Sequence, residues 1–240
     1  MKQRIFTIMA TGLALIVLLG AAWQAQAQDA KTPYPSMAPL DQYLTADRND
    51  EIALARSAAP AAISRDATVL VLGRRGYQTA IKGANGFTCL VERSWMSPFD
   101  SPEFWNPKMR GPICYNPPAG RSVLPWTYRR TELALGGRTR AQMMESVQAA
   151  FARKELAPPE PGAMSYMMSK EGNLGDSVGH WRPHLMFHVP TTDGSNWGAN
   201  LPDSPVLLNA QFREGPEPET IFMVPVDNWS DGTAASMLEH

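Results

Sequence analysis

This sequence holds little of what usually announces an activity. Cysteine occurs twice and histidine four times in 240 residues. There is no Cys-x-x-Cys, no His-Glu-x-x-His, no Ser-x-x-Lys and no glycine-rich phosphate loop. No histidine precedes residue 180, which excludes the His–Asp–Ser order of chymotrypsin-like proteases. The net charge is only −1, and no basic stripe or polybasic run suggests a nucleic acid or an anionic membrane surface as partner. Long apolar runs are equally scarce, and past the first 20 residues none is long enough to span a bilayer.

The one apolar run, Ile5 to Gly20, follows Lys2 and Arg4 and precedes Ala25-Gln-Ala27. A basic n-region, an apolar core and a small-x-small site predict a secretory signal peptide over 1–27, hence an exported, periplasmic or extracellular protein with no membrane span after cleavage. Residues 28–37 are polar and proline-containing and read as a flexible lead-in. Residues 38–232 are long enough for a single domain with its own core. Residues 233–240 read as a disordered tail whose Leu-Glu-His ending resembles a tag scar, so His240 is given no role. In an oxidising compartment the pair Cys89 and Cys114 predicts a disulfide. Closing a loop of that size contributes about 3–4 kcal/mol on the chain-entropy account.

Ala67–Leu72, Tyr77–Ile81 and Phe87–Val91 are rich in β-branched residues and separated by glycine turns, which predicts a three-strand meander. Residues 94–120 are dense in proline and lack periodicity. Their aromatic residues Trp95, Phe99, Phe104, Trp105 and Tyr115 suggest a flap packed on the sheet, or a ligand-stacking wall. Helices are expected after Asp50, over Ser122–Leu135, and after Thr139, where Gln142 completes a capping box. Strands are expected over Ala163–Ser169, His184–Val189, Val206–Phe212 and Thr220–Val226. The sum is an α+β domain: a largely antiparallel sheet, N-terminal meander plus C-terminal strands, with two or three helices packed on one face.

Chemistry concentrates in Ala163–Pro190. It holds His180, His184 and His188 and the only Gly-x-Ser-x-Gly, Gly175 to Gly179. On a helix the i, i+4, i+8 spacing would suit a metal, but Pro183 and the alternation of Leu185, Phe187 and Val189 predict a strand. There, neighbours four apart lie roughly 13 Å from each other, so no shared metal is expected. Ser177 lacks the strand–turn–helix of a nucleophile elbow. If the last four strands form a meander, Asp176, Ser177, His180 and Arg182 gather at one end of the sheet. His188, Asp193, Trp197, Asp227 and Trp229 then approach each other at the other end. In the first pocket glycine-freed N–H groups and Arg182 would suit a small polar or anionic molecule.

The stretches Asn85–Val91, Gly111–Tyr115, Met164–Met168 and His180–Met186 resemble a family of uncharacterised exported bacterial proteins. The resemblance covers most of the mature chain, implies export, and supplies no catalytic residues. The expected function is therefore a non-catalytic binding module, without cofactor, for a small molecule or an envelope protein. The alternative is a hydrolase or metal-dependent enzyme centred on Ser177, His180 and His184.

Overall fold

The computed structural model describes residues 33–180, 182–208 and 215–235. The signal peptide, the first half of the lead-in, Trp181, the second half of the strand expected over Val206–Phe212 and the last five residues lie outside them. The expected α+β architecture is present. Eight strands form one sheet: β1 (Thr68–Gly73), β2 (Gly76–Ile81), β3 (Thr88–Glu92), β4 (Gly111–Tyr115), β5 (Met164–Met167), β6 (His184–Pro190), β7 (Leu207–Leu208) and β8 (Glu219–Pro225). Their order across the sheet is β2-β1-β3-β4-β5-β6-β8-β7. Every neighbouring pair is antiparallel except β1 and β3.

That exception corrects the expected meander. β1 is apolar on both faces, with Val69, Leu70, Val71 and Leu72 all buried. β2 leaves Gln78 and Thr79 open to solvent. Burial therefore favours β1 inside and β2 at the edge, and β3 pairs with the far side of β1. The connection must cross the start of β1, where Ala84 N–H donates to the Asp66 carbonyl. A Cβ on Gly83 would sit 2.3 Å from the carbonyl carbon of Ala67. Only glycine allows that crossing.

The C-terminal half carries the second correction. β8 pairs directly with β6, from His184 opposite Pro225 to Pro190 opposite Glu219, and β7 is displaced to the edge. The residues after β8 therefore return to the end of the sheet where β6 begins. β4, hidden in the proline-rich stretch, is the third. Its Pro112 faces Val91 of β3, while β5 pairs only with Cys114 and Tyr115, so the missing N–H falls where no second neighbour needs it.

Helix α1 (Arg48–Arg56), capped by Asp47, and the short α2 (Ala61–Ser64) cover one face of the N-terminal half. There Ala55, Val69, Val91 and both cysteines form a core. Helices α3 (Pro117–Ser122), α4 (Leu124–Leu135) and α5 (Arg140–Ala152) lie on the other face. The capping box of Thr139 and Gln142 starts α5 as expected. The aromatic flap is core: Trp95, Phe99, Phe104, Trp105 and Tyr115 are all buried, and the Trp95 indole N–H donates to Thr131 at 3.0 Å. Part of the lead-in is packed as well, with Tyr34 and Met37 against the same cluster. At the other end, Ala235 N–H donates to the Asp227 carbonyl, so the tail begins later than expected. No helix among the described residues is long and apolar enough to cross a membrane.

Cys89 and Cys114 face each other across the β3–β4 pair and are disulfide-bonded beneath α1, fully buried. The double substitution Cys89→Ala, Cys114→Ala is expected to lower stability by about 2–5 kcal/mol, the range for a native bridge. Urea unfolding of both proteins checks this. Superimposable curves would remove the bridge from the stability account.

Candidate functional site

The loop singled out by its Gly-x-Ser-x-Gly does bind an anion, and the anion is the chain's own. Glu103, carried on the aromatic flap, accepts the backbone N–H of Asp176 at 2.6 Å and of Ser177 at 2.9 Å. It also accepts the Ser177 hydroxyl at 2.6 Å and the Asn106 amide at 2.9 Å. Burial alone would raise this carboxyl, but those four donors outweigh it and hold it below the usual carboxylate range. Gly175 is at φ 128° against the same carboxylate. Asp176 is engaged by Tyr34 and Lys108.

The remaining residues of the two expected pockets are distributed differently. The His180 Nδ1 lies 2.9 Å from the Gly172 carbonyl, and its ring packs 4.7 Å from that of Trp229. Trp229 and Asp227 thus belong to the end of the sheet that holds His180, because β8 runs beside β6. Arg182 is half-buried ahead of β6, and its carbonyl accepts the Nδ1–H of His184 at 2.7 Å. Asp193 and Trp197 stay at the opposite end. Trp197 stacks on Phe222 at 4.4 Å, on the face turned away from His188. The second expected pocket is therefore not assembled.

His188 instead opens a site that local reading missed. The face of the sheet bearing Glu92, Ile113, Tyr115, Met167, His184, Met186, His188, Glu219, Ile221 and Met223 forms one wall of a cavity of about 560 Å³. That lies within the roughly 300–1,000 Å³ typical of small-molecule sites. Val123, Trp126 and Arg130 close it from the α4 side, and Leu174 and Val178 of the glycine loop close one end. The loop therefore offers the cavity its apolar residues and turns its polar ones to Glu103 and solvent. A more open groove of about 680 Å³ lies between β2, α4 and α5. Its rim charges Arg129 and Glu132 pair with each other.

Ionisable groups converge on the cavity floor. His188 lies between Glu219, with Nδ1 3.0 Å from Oε2, and Ser165, with Nε2 2.9 Å from Oγ. These are the spacings of a nucleophile, base and orienting acid, but Ser165 is fully buried on an internal strand and does not line the cavity. Its hydroxyl fixes the imidazole and is not presented to a substrate. Glu92 Oε1 accepts the Tyr115 hydroxyl at 2.6 Å and the Thr127 hydroxyl at 3.2 Å. Burial pushes the Glu92 carboxyl up, against those hydrogen bonds and the fields of His188 and Arg130. Burial likewise lifts the Tyr115 phenol well above its ordinary value.

Arg130 spans the roof. Its Nε and one terminal nitrogen donate to the two oxygens of Glu217 at 2.7 and 2.8 Å. The other terminal nitrogen donates to the carbonyls of Trp95 and Ser97, and the guanidinium lies 4.1 Å over the Phe99 ring. Among the described residues no group of three His, Cys, Asp or Glu side chains could hold a metal ion. Glu92 ends β3 on the same face as Leu90. The Glu217-Pro-Glu219 spacing leads into Ile221 and Met223. A carboxylate at an inward position was the signal available in the sequence.

Two outcomes follow from this geometry. Gly175→Ala would force a side chain into a left-handed conformation against Glu103, and is expected to cost roughly 1–3 kcal/mol and to expose the loop. Urea unfolding with limited proteolysis checks it, and unchanged stability would show that the loop adapts. Burial also holds the His184 imidazole down, to about 4, against its hydrogen bond to Arg182. The unfolded chain, with an ordinary value of 6.5, then takes up the proton first as pH falls. Neutral His184 should therefore lower stability progressively between pH 6.5 and 4, by up to roughly 1.4 kcal/mol per unit. His184→Gln should flatten the stability–pH curve in that window, and an equal slope in both proteins would exclude His184 as its source.

The chain matches no family model, no curated protein and no solved structure, so its function is read from this geometry.

Proposed function

We propose that this chain is an exported, non-catalytic binding protein that holds a small molecule in the cavity between the sheet and α4. The observation that carries the reading is the cavity itself: a mostly apolar enclosure with a few polar groups converging on its floor. Export is supported by the N-terminal pattern and by the buried disulfide.

Catalysis is disfavoured at both places where it could be sought. Ser177 gives its hydroxyl to Glu103, and the His180 Nδ1 is turned to the Gly172 carbonyl, so the alternative hydrolase centred on Ser177, His180 and His184 has no nucleophile–base contact. In the cavity, both ring nitrogens of His188 already have partners within the protein. A base in that state cannot take a proton from a bound molecule without first breaking the contact that orients it.

Nile red, whose emission shifts blue in apolar surroundings, tests the reading. The purified protein is expected to bind it saturably, and Met167→Trp, which places an indole in the cavity, is expected to weaken binding at least tenfold while the far-ultraviolet circular dichroism is kept. Binding that the substitution leaves unchanged would place the dye elsewhere and remove the cavity from the functional account.

A further inference from the structure

We infer that the molecule held in this cavity carries a single positive charge, an amine on an otherwise apolar body, with its ammonium group seated on Glu92. The inference rests on the cavity being the binding site, and it follows from which charged groups on the floor already have partners.

Cations first. Arg130 spends its hydrogen bonds on Glu217 and on the carbonyls of Trp95 and Ser97. Arg93, which also borders the cavity, donates to both oxygens of Glu51 and to the carbonyls of Tyr43 and Val91. Every nitrogen of both guanidiniums is already engaged within the protein, and each is paired with a carboxylate. Burial keeps His184 neutral near pH 7. The His188 Nδ1 already faces Oε2 of Glu219 at 3.0 Å, so this imidazole is engaged by a carboxylate of the protein itself. Among the described residues, an anionic ligand would find no free counter-charge in this space, and a buried charge is tolerated only when paired.

Carboxylates next. Glu217 is matched by Arg130, Glu51 by Arg93, and Glu219 by His188. Glu92 is left over. Its Oε1 takes the Tyr115 and Thr127 hydroxyls, while Oε2 has no hydrogen-bond partner among the described residues. The residue keeps accessible surface because that surface faces the cavity. Burial favours the protonated form while the site is unliganded. An ammonium arriving at Oε2 lets Glu92 ionise, its proton passing to solvent, and gives a cationic partner to the carboxylate that lacks one among the described residues lining the cavity. Trp126 and Tyr115 line the same space, and aromatic faces favour a cation. The apolar walls exclude a polyamine, whose further charges would find no partner.

Three eight-carbon probes, octylammonium, 1-octanol and octanoate, separate the charge states at nearly constant shape. Titration calorimetry on the full mature chain at pH 7.5 is expected to show octylammonium binding at least tenfold tighter than 1-octanol, with octanoate weakest, and octylammonium should displace Nile red. Glu92→Gln keeps the acceptor for Tyr115 and Thr127 but cannot ionise. It is expected to weaken octylammonium tenfold or more and to leave 1-octanol within twofold. If 1-octanol or octanoate equals octylammonium in the wild type, or if the preference survives Glu92→Gln, the assignment of a cation is wrong while the cavity remains a binding site. If neither Nile red nor any of the three probes binds, the cavity reading falls and this inference falls with it.

Discussion

The roof of the cavity is held together by one guanidinium. Arg130 leaves α4, crosses the roof, and gathers the Trp95 and Ser97 carbonyls, the Phe99 ring and the Glu217 carboxylate into one cluster. Those partners come from the helical layer, the aromatic flap and the segment that leads into β8. An ion pair this buried gains little over an apolar substitute, but removing one member strands the other, at a cost of about 3–5 kcal/mol. Its service is to fix relative positions. With Arg130 in place, the flap cannot slide along α4 and the lead into β8 cannot lift from the sheet. The Glu51–Arg93 pair does the same on the opposite side, joining α1 to the end of β3.

Much of the fold was legible in the sequence, because its signals are local. The Thr139–Gln142 capping box, the β-branched runs of β1 and β3, and the alternation over His184–Val189 each need only a few adjacent residues. What failed was adjacency between distant segments. No local pattern says that β3 passes β2 to lie beside β1, or that β8 inserts between β6 and β7. Both choices are made by burial across the whole sheet, which prefers strands with two apolar faces in the middle. β4 was hidden for a different reason. Gly111 and Pro112 are poor strand formers, and only the single-sided pairing at that point tolerates them.

The site was legible in part. His188 drew attention as a histidine, but its partners Glu219 and Ser165 and the neighbouring Glu92 and Arg130 are ordinary residues whose meaning depends on which face they take. The glycine loop shows the converse. Its glycines, serine and aspartate promised an anion site, and the backbone geometry for one is there, but Glu103 fills it. That internal carboxylate makes the loop part of the wall, so a motif that reads as a reaction centre serves as a fastening.

The cavity's sulfur content has its own consequence. Met96, Met109, Met167, Met186 and Met223 contribute five thioether side chains to the lining. Methionine is unbranched, polarisable and free about three torsions, so it changes shape at small energetic cost. Walls built this way conform to an apolar body instead of measuring it, and so discriminate weakly between a straight chain and a ring of similar volume. The floor behaves oppositely, since its charges are locked in place by hydrogen bonds. If the proposed binding reading holds, a yielding wall over a rigid floor would accept a range of outlines while selecting for one polarity, which suits the capture of a chemical class of molecules better than recognition of a single compound.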